Sequence, residues 1–272
     1  MTKKLRVYLP FALNEIKRQM AYKGAFYLFL FTEMFASFIA FYLWMAIYKS
    51  SETGTLGGMT QQEMVIYVFI SFITSQMVMI SISEQISEDV VKGTVAMNLI
   101  KPIDYRSSLL SIACGQMVYR FFIPSLFIWV GLEAYRYFGM GIGVVTWWQL
   151  AAYLVSCILS MFIYVLFDFC FGMIAFFTSY IFGLQLVKNA ILSFLTGQLI
   201  PISFFPERVQ KVFDFLPFSS MVYTPTMIYL GRYEGIQLGF VLGKQLFWVV
   251  CLYLLGSLIW RQVTRRLVVL GG

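Results

Sequence analysis

The stretch AFYLFLFTEMFASFIAFYLWMAIY, residues 25–48, is apolar throughout except for one carboxylate, Glu33. Several similar runs follow it. About 20 apolar residues are enough to cross the hydrocarbon core of a bilayer as a helix. A helix also satisfies its backbone polar groups internally, which lipid cannot do for it. The strict alternation of apolar and polar residues that marks a membrane β-barrel is missing from these runs. The chain is 60% hydrophobic and 12% charged, too little polar surface for a soluble domain of its size. The expected fold class is therefore an all-α polytopic membrane protein, a single transmembrane domain over residues 1–272.

Six membrane spans are expected, at residues 25–48, 64–82, 108–132, 148–177, 187–203 and 237–260. Between 149 and 200 the turn could fall near Asp168 or within Thr178 to Lys188. The first choice buries Lys188 in lipid. The second puts Lys188 at the cytoplasmic end of the fifth span, leaves Asp168 inside the bundle and fits the positive-inside rule better. Residues 5–23 precede the first span. Leu5, Leu9, Leu13, Ile16 and Met20 recur there at helical spacing, with Asn14, Lys17 and Arg18 off the seam. This reads as an amphipathic helix in the membrane interface, the alternative being a stalk on the first span. No cleavage-site pattern precedes the first apolar run, so this segment is expected to be kept.

The net charge of +7 could suggest nucleic acid, but its placement does not. Lys3, Lys4, Arg6, Lys17, Arg18 and Lys23 precede the first span, and Arg261, Arg265 and Arg266 follow the last. The loop at 49–63 holds Glu52 and Glu63 with only Lys49 as a base. Basic clusters at membrane ends are topology signals and headgroup contacts. They place both termini in the cytoplasm, with membrane lipids as partners and no nucleic acid.

The chain has no histidine. That removes Ser-His-Asp triads, HExxH metal sites and His-based proton relays. Cys114, Cys157, Cys170 and Cys251 lie inside apolar runs without CxxC spacing, so free packed thiols are expected and no metal. The text Gly239-Phe-Val-Leu-Gly243-Lys244-Gln245 comes nearest to a P-loop. It is one residue short and ends in Gln, where a hydroxyl must hold magnesium. This chain carries no ATPase motif.

Residues 83–106 are out of keeping with their apolar flanks. Glu84, Glu88, Asp89, Lys92, Lys101, Asp104 and Arg106 are concentrated there. Ile82, Ile86, Val90 and Val91 recur at helical spacing, so the first half reads as a short amphipathic helix. Gly93 could end it in a left-handed conformation. The bland reading is a solvated elbow between the second and third spans. Residues 197–235 are also unusual, with Pro201, Pro206, Pro217 and Pro225 in an apolar context. They read as an outer re-entrant or surface-lying segment, too irregular for a lipid-exposed helix.

In their order these elements resemble the permease subunit of type-2 ABC exporters, over nearly the whole chain. IKRQMAYKGAF is similar to that family's basic entry to the first span, and GMTQQEMVIYVF to its entry to the second. ISEDVVKGTVAMNLIKPIDY resembles its first cytoplasmic loop. FLTGQLIPISFFPERVQKVFDFLPF resembles its outer Gly-x-x-x-Pro…Phe-Pro…Leu-Pro-Phe segment. The resemblance implies that the loop is a coupling helix docking on a separate ATPase subunit. Its contacts would be Glu84, Gln85, Ser87, Glu88, Asp89, Lys92, Gly93 and Thr94, with Glu88, Asp89 and Lys92 foremost. It implies an outer gate at Pro201, Pro206 and Pro217, and a pathway lined by the second and fifth spans, with Ser75, Gln76, Asn189 and Ser193 as candidates. It further implies a second permease subunit, the same or related, and ATP and magnesium on the partner ATPase with no cofactor on this chain. The cargo would be a hydrophobic or amphiphilic drug, lipid or peptide, exported across a bacterial inner membrane. Two other functions compete with this one. An intramembrane enzyme needs a convergent acid/base set, and only Glu33 and Asp168 offer buried carboxylates. An ion-coupled carrier wants inverted repeats, and none is visible. Glu33, Arg120 and Asp168 are the ionisable residues expected deep in spans, where each costs about 3 kcal/mol on insertion scales. Interhelical pairing, or a position nearer the interface, is the favoured account of all three, the alternative being substrate or coupling contacts in a cavity.

Overall fold

A computed structural model describes the backbone of residues 2–21, 23–51, 54–178 and 181–270. Within these, the side chains of 2–5, 23, 25, 26, 29, 30, 33 and 266–270 are not described. Of the residues singled out above, Lys3, Lys4, Leu5, Lys23, Glu33, Glu52 and Arg266 lie outside the described residues.

The chain is almost wholly helical. Helix α1 is Thr2–Ala21 and α2 Lys23–Ser50. A two-residue hairpin, β1 (Thr55–Leu56) with β2 (Met59–Thr60), leads into α3 (Gln61–Val78). Thr60 and Glu63 cap α3 reciprocally, each side chain bonding the other's backbone amide. Helices α4 (Ser83–Val91) and α5 (Thr94–Ile100) form an elbow. Helix α6 (Tyr105–Arg120) continues through a π turn, Phe121–Ser125, into α7 (Leu126–Ala134) and a second π turn, Tyr135–Gly139. Pro124 sits in the first π turn. Its ring has no N–H to give, and the wider turn absorbs the lost bond without breaking the rod. Helices α8 (Trp147–Gly172), α9 (Phe182–Leu195), α10 (Glu207–Phe215), α11 (Tyr223–Tyr229) and α12 (Gly235–Leu270) complete the chain.

Among the described residues, four helical stretches are long and apolar enough to cross a membrane: Gln61–Val91, Tyr105–Gly139, Trp147–Phe176 and Gly235–Arg265. Met34–Ser50 and Phe182–Leu195 are apolar but shorter. The protein is thus a multi-pass, all-α membrane protein. The fifth expected span needs correction. Its helix is Phe182–Leu195 rather than 187–203, because Gly197 turns left-handed (φ 78°) and Pro201 follows. The turn before it falls after Phe176, the second of the two placements weighed for this region.

Packing centres on α3 and α8. Helix α8 touches α12, α11, α3 and α4, and α11 is wedged between α8 and α3 with every residue buried. Helix α1 packs along α6. The contact is close because Gly115 has no side chain: a Cβ there would stand 2.4 Å from the carbonyl oxygen of Ala12. Glu15 is buried in the same contact and accepts from Arg18 (2.8 Å), Gln19 (3.0 Å) and Gln116 of α6 (2.9 Å). The apolar seam read from the sequence faces away, with Leu9, Leu13 and Met20 exposed. So α1 has a polar anchor toward α6 and an apolar face outward.

Burial alone would raise the Glu15 carboxyl, but hydrogen bonds from Arg18, Gln19 and Gln116 and the Arg18 charge outweigh it and hold it below the usual range. A depressed carboxylate stabilises the fold above its unfolded value, about 4.3, and that stability is lost as the pH falls further. Protection of the α1 amides, corrected for the intrinsic pH dependence of exchange, is therefore expected to fall as the pH drops below about 4.3 in the wild type, and to lose that step in Glu15→Gln. Gly115→Val is expected to destabilise by about 1–3 kcal/mol through overpacking. Gly131→Ala, inside α7 where a Cβ meets nothing within 4 Å, should leave the thermal midpoint in detergent unchanged or slightly raised.

Candidate functional site

The elbow is set firmly on the rest of the molecule. Between α3 and α4 the chain leaves the helix for four residues, Met79 to Ile82. Each broken end is held by a charge from another helix. Arg120 of α6 donates to the carbonyls of Gln76 (3.1 Å) and Met79 (3.4 Å), at the negative end of the α3 dipole. Asp168 of α8 accepts the backbone N–H of Ile82 and of Ser83, both at 2.7 Å, on Oδ2. The Ser83 hydroxyl donates to its Oδ1 at 3.0 Å. A carboxylate from outside the helix thus supplies the N-terminal cap that α4 lacks in its own sequence.

Asp168 is fully buried, and its charge is balanced by Lys188 of α9, which donates to Oδ1. The Lys188 ammonium also stands over the ring of Phe171, 4.9 Å from its centre. The two residues between which the sequence reading had to choose are therefore partners. Gly172, one turn after Asp168, lets α4 approach α8: a Cβ there would stand 2.8 Å from Ile86 and 3.1 Å from the Ser83 Cα.

The far side of the elbow is tied by Asp89. Its carboxylate accepts from the Thr94 hydroxyl (2.7 Å), the Tyr105 hydroxyl (2.7 Å) and the Asn98 amide (3.4 Å), joining α4, α5 and α6. Tyr105 in turn stacks on Trp260 of α12, ring centres 5.6 Å apart. Gly93 is left-handed (φ 70°), which turns α4 into α5. Asp89 was singled out for an outward contact, and so was Thr94; the structure turns both side chains to internal bonds. Ser87 is half-buried. Glu84, Gln85, Glu88, Lys92 and Gly93 face outward, with Glu88 and Lys92 paired at 3.2 Å. Beside them stand Val91, Met97 and Ile100, the last 84% exposed. Sequence reasoning missed these apolar members, since periodicity put Val91 on the inner face with Ile86.

The other candidates fall elsewhere. Ser75 is buried and accepts from Gln198 at 3.1 Å, and Gln76 is half-buried. Asn189 lies on the exposed face of α9, and Ser193 bonds back to the Ala190 carbonyl. The structure does not bring these four together. Pro201 and Pro217 are buried and Pro206 is exposed. The irregular backbone around them is satisfied by side chains from neighbouring helices, as membrane depth demands. Tyr67 donates to the Gly197 carbonyl at 2.5 Å. Ser160 (2.7 Å) and Gln245 (2.9 Å) donate to that of Ser220. Gln245, the residue that spoils the P-loop-like text, is thus a buried structural bond-maker. The four cysteines are free.

The fold so defined is that of a multi-pass, all-α membrane protein with a helical elbow tied to three of its helices. Over residues 32–271 the chain matches the family model described as ABC-2 family transporter protein, and it belongs to that family. A search of curated proteins found no match.

Removing one partner of a buried ion pair leaves the other uncompensated and costs about 3–5 kcal/mol. Lys188→Met is expected to lower the thermal midpoint in detergent strongly. Adding Asp168→Asn to it should restore a large part of the loss, because Asn keeps an oxygen for the two amides without a naked charge. A double-mutant cycle on the midpoints measures the coupling; additive losses would show that the pair does not act as a unit.

Proposed function

We propose that this chain is the membrane-spanning permease subunit of an ATP-driven exporter, with α4–α5 as its coupling element. The observation that carries this reading is the elbow itself. A loop that merely joins two helices needs neither a buried ion-paired cap nor an outward face mixing Glu84, Glu88 and Lys92 with Val91, Met97 and Ile100. A surface of that mixture suits a groove on another protein, with apolar contact at the centre and charge at the rim. The occupant proposed is a separate ATPase subunit, which holds ATP and magnesium.

In this reading the chain crosses the membrane six times. Helices α2 and α9 make the two crossings for which the described apolar stretch is short, and α9 is completed by residues 196–204. The elbow and both termini face the cytoplasm, and α1 lies in the interface with Leu9, Leu13 and Met20 toward lipid. ATP binding draws two ATPase subunits together, and the elbow of each permease follows. Because Asp168 and Lys188 tie the start of α4 to both α8 and α9, displacement of the elbow is carried into the helix that leads to the Pro201–Pro217 segment, proposed as the outer gate. A second permease, identical or related, completes the pathway. A hydrophobic or amphiphilic cargo is exported across the cell membrane, as in a bacterial inner membrane.

The reading is tested by purifying the tagged chain from native membranes in mild detergent and identifying what accompanies it. A stoichiometric P-loop ATPase is expected. Glu84→Lys with Glu88→Lys should reduce its recovery at least fivefold while leaving the thermal midpoint of the permease alone. Recovery of the chain without any ATPase, together with transport that survives ATP depletion, would overturn the reading in favour of an ion-coupled carrier.

A further inference from the structure

A cleft of about 800 Å³ opens between α10, α11 and α12, far along the chain from the elbow. Its walls are largely aromatic. Phe215 of α10 meets Trp248 of α12 edge to face, ring centres 6.4 Å apart, and Phe240 and Phe247 continue the wall along α12. Among these rings stands one lysine, Lys244, half-buried. Among the described residues it makes no hydrogen bond or ion pair. Asp214 lines the same cleft and is exposed at its rim, yet it forms no ion pair with Lys244.

A lysine within an apolar helix needs an anion, water or a route to the headgroups. Lys244 is nine residues into α12 from Gly235, a rise of about 14 Å. Its side chain leans toward the helix start, but the stem does not cover that distance, so the ammonium sits within the cleft below the end of the helix. Helix α10 lies beside it with Val212 and Phe215 exposed and Glu207, Arg208 and Lys211 on its polar side. That is the character of a helix at headgroup level. An amphiphile entering between α10 and α12 would bring its head to Lys244 and its tail onto the rings.

We infer that this cleft binds an amphiphile with a phosphate headgroup, a membrane phospholipid, whose phosphate pairs with Lys244 while its acyl chain lies on Phe215, Phe240, Phe247 and Trp248. A zwitterionic head meets both charges, its phosphate on Lys244 inside the cleft and its ammonium toward Asp214 at the rim. The site does not depend on an ATPase, and its variants should leave ATPase recovery unchanged.

The test is native mass spectrometry of the purified full chain after exchange into detergent with equal amounts of phosphatidylethanolamine, phosphatidylglycerol and diacylglycerol of matched tails. The wild type is expected to retain both phospholipids over diacylglycerol. Lys244→Gln should cut phospholipid retention at least fivefold without moving the thermal midpoint, and Lys244→Arg should restore it. Phe240→Gln, which leaves the lysine in place and puts an amide against the tail, should lower retention of both phospholipids as well. Equal retention by Lys244→Gln and wild type, or equal retention of diacylglycerol and phospholipid, would overturn the inference. Inorganic phosphate in a separate arm distinguishes the sources: displacement of the lipid by phosphate alone would assign the site to a free anion and overturn the lipid.

Discussion

The geometry of the elbow depends on one clamp. The helical path breaks between Val78 and Ser83, and an arginine holds the carbonyls on one side while an aspartate holds the amides on the other. Broken helices leave unpaired backbone groups, and at membrane depth no water is there to take them. Arg120 and Asp168 are therefore where they must be: at the negative end of α3 and the positive end of α4, each charge matched to the dipole it faces. With the break so satisfied, α4 can leave the axis of α3 without leaving unpaired backbone groups.

The second charge in the clamp makes it a three-helix joint. Asp168 could cap α4 only at the cost of a buried anion. Lys188 balances that anion and by doing so fixes the start of α9 against the elbow. Such pairs cost desolvation, and their worth lies more in specifying one arrangement than in raw stability. Here the arrangement specified is the joining of α4, α8 and α9 at one point. Asp89 provides the same service on the other side, through Tyr105 to α6 and Trp260 to α12.

The proline-rich segment obeys the same rule by different means. Its carbonyls at Gly197 and Ser220 are met by Tyr67, Ser160 and Gln245, all neutral donors from neighbouring helices. The hydroxyls and amides scattered through α3, α8 and α12 are thus already used by the protein's own irregular backbone. At the elbow the broken chain is held by charges; in the proline-rich segment the Gly197 and Ser220 carbonyls are held by neutral donors, while Arg232 at its far end pairs with Glu63 of α3.

Much of this was legible in the chain. Long apolar runs can only be helices in lipid, so the all-α membrane class followed from hydrophobicity alone. Gly93 marked the end of α4 because only glycine adopts that backbone cheaply, and the charged cluster at 83–106 stood out against its flanks. The prolines from Pro201 to Pro225 announced a broken segment. The partners of the charges were not legible. Asp168 and Lys188 are 20 residues apart on either side of a turn whose position the sequence left open, and Asp168 meets Ser83 across 85 residues. Asp89 sits in a charged run that reads as a solvated face, yet it turns inward because Tyr105 waits beneath it. Val91 has the spacing of an inner residue and faces outward. The sequence by itself determined which segments prefer lipid, because transfer free energy is a local property of side chains. Only the tertiary structure decided which buried charge neutralises which helix end, because that depends on distances between segments that no local pattern encodes.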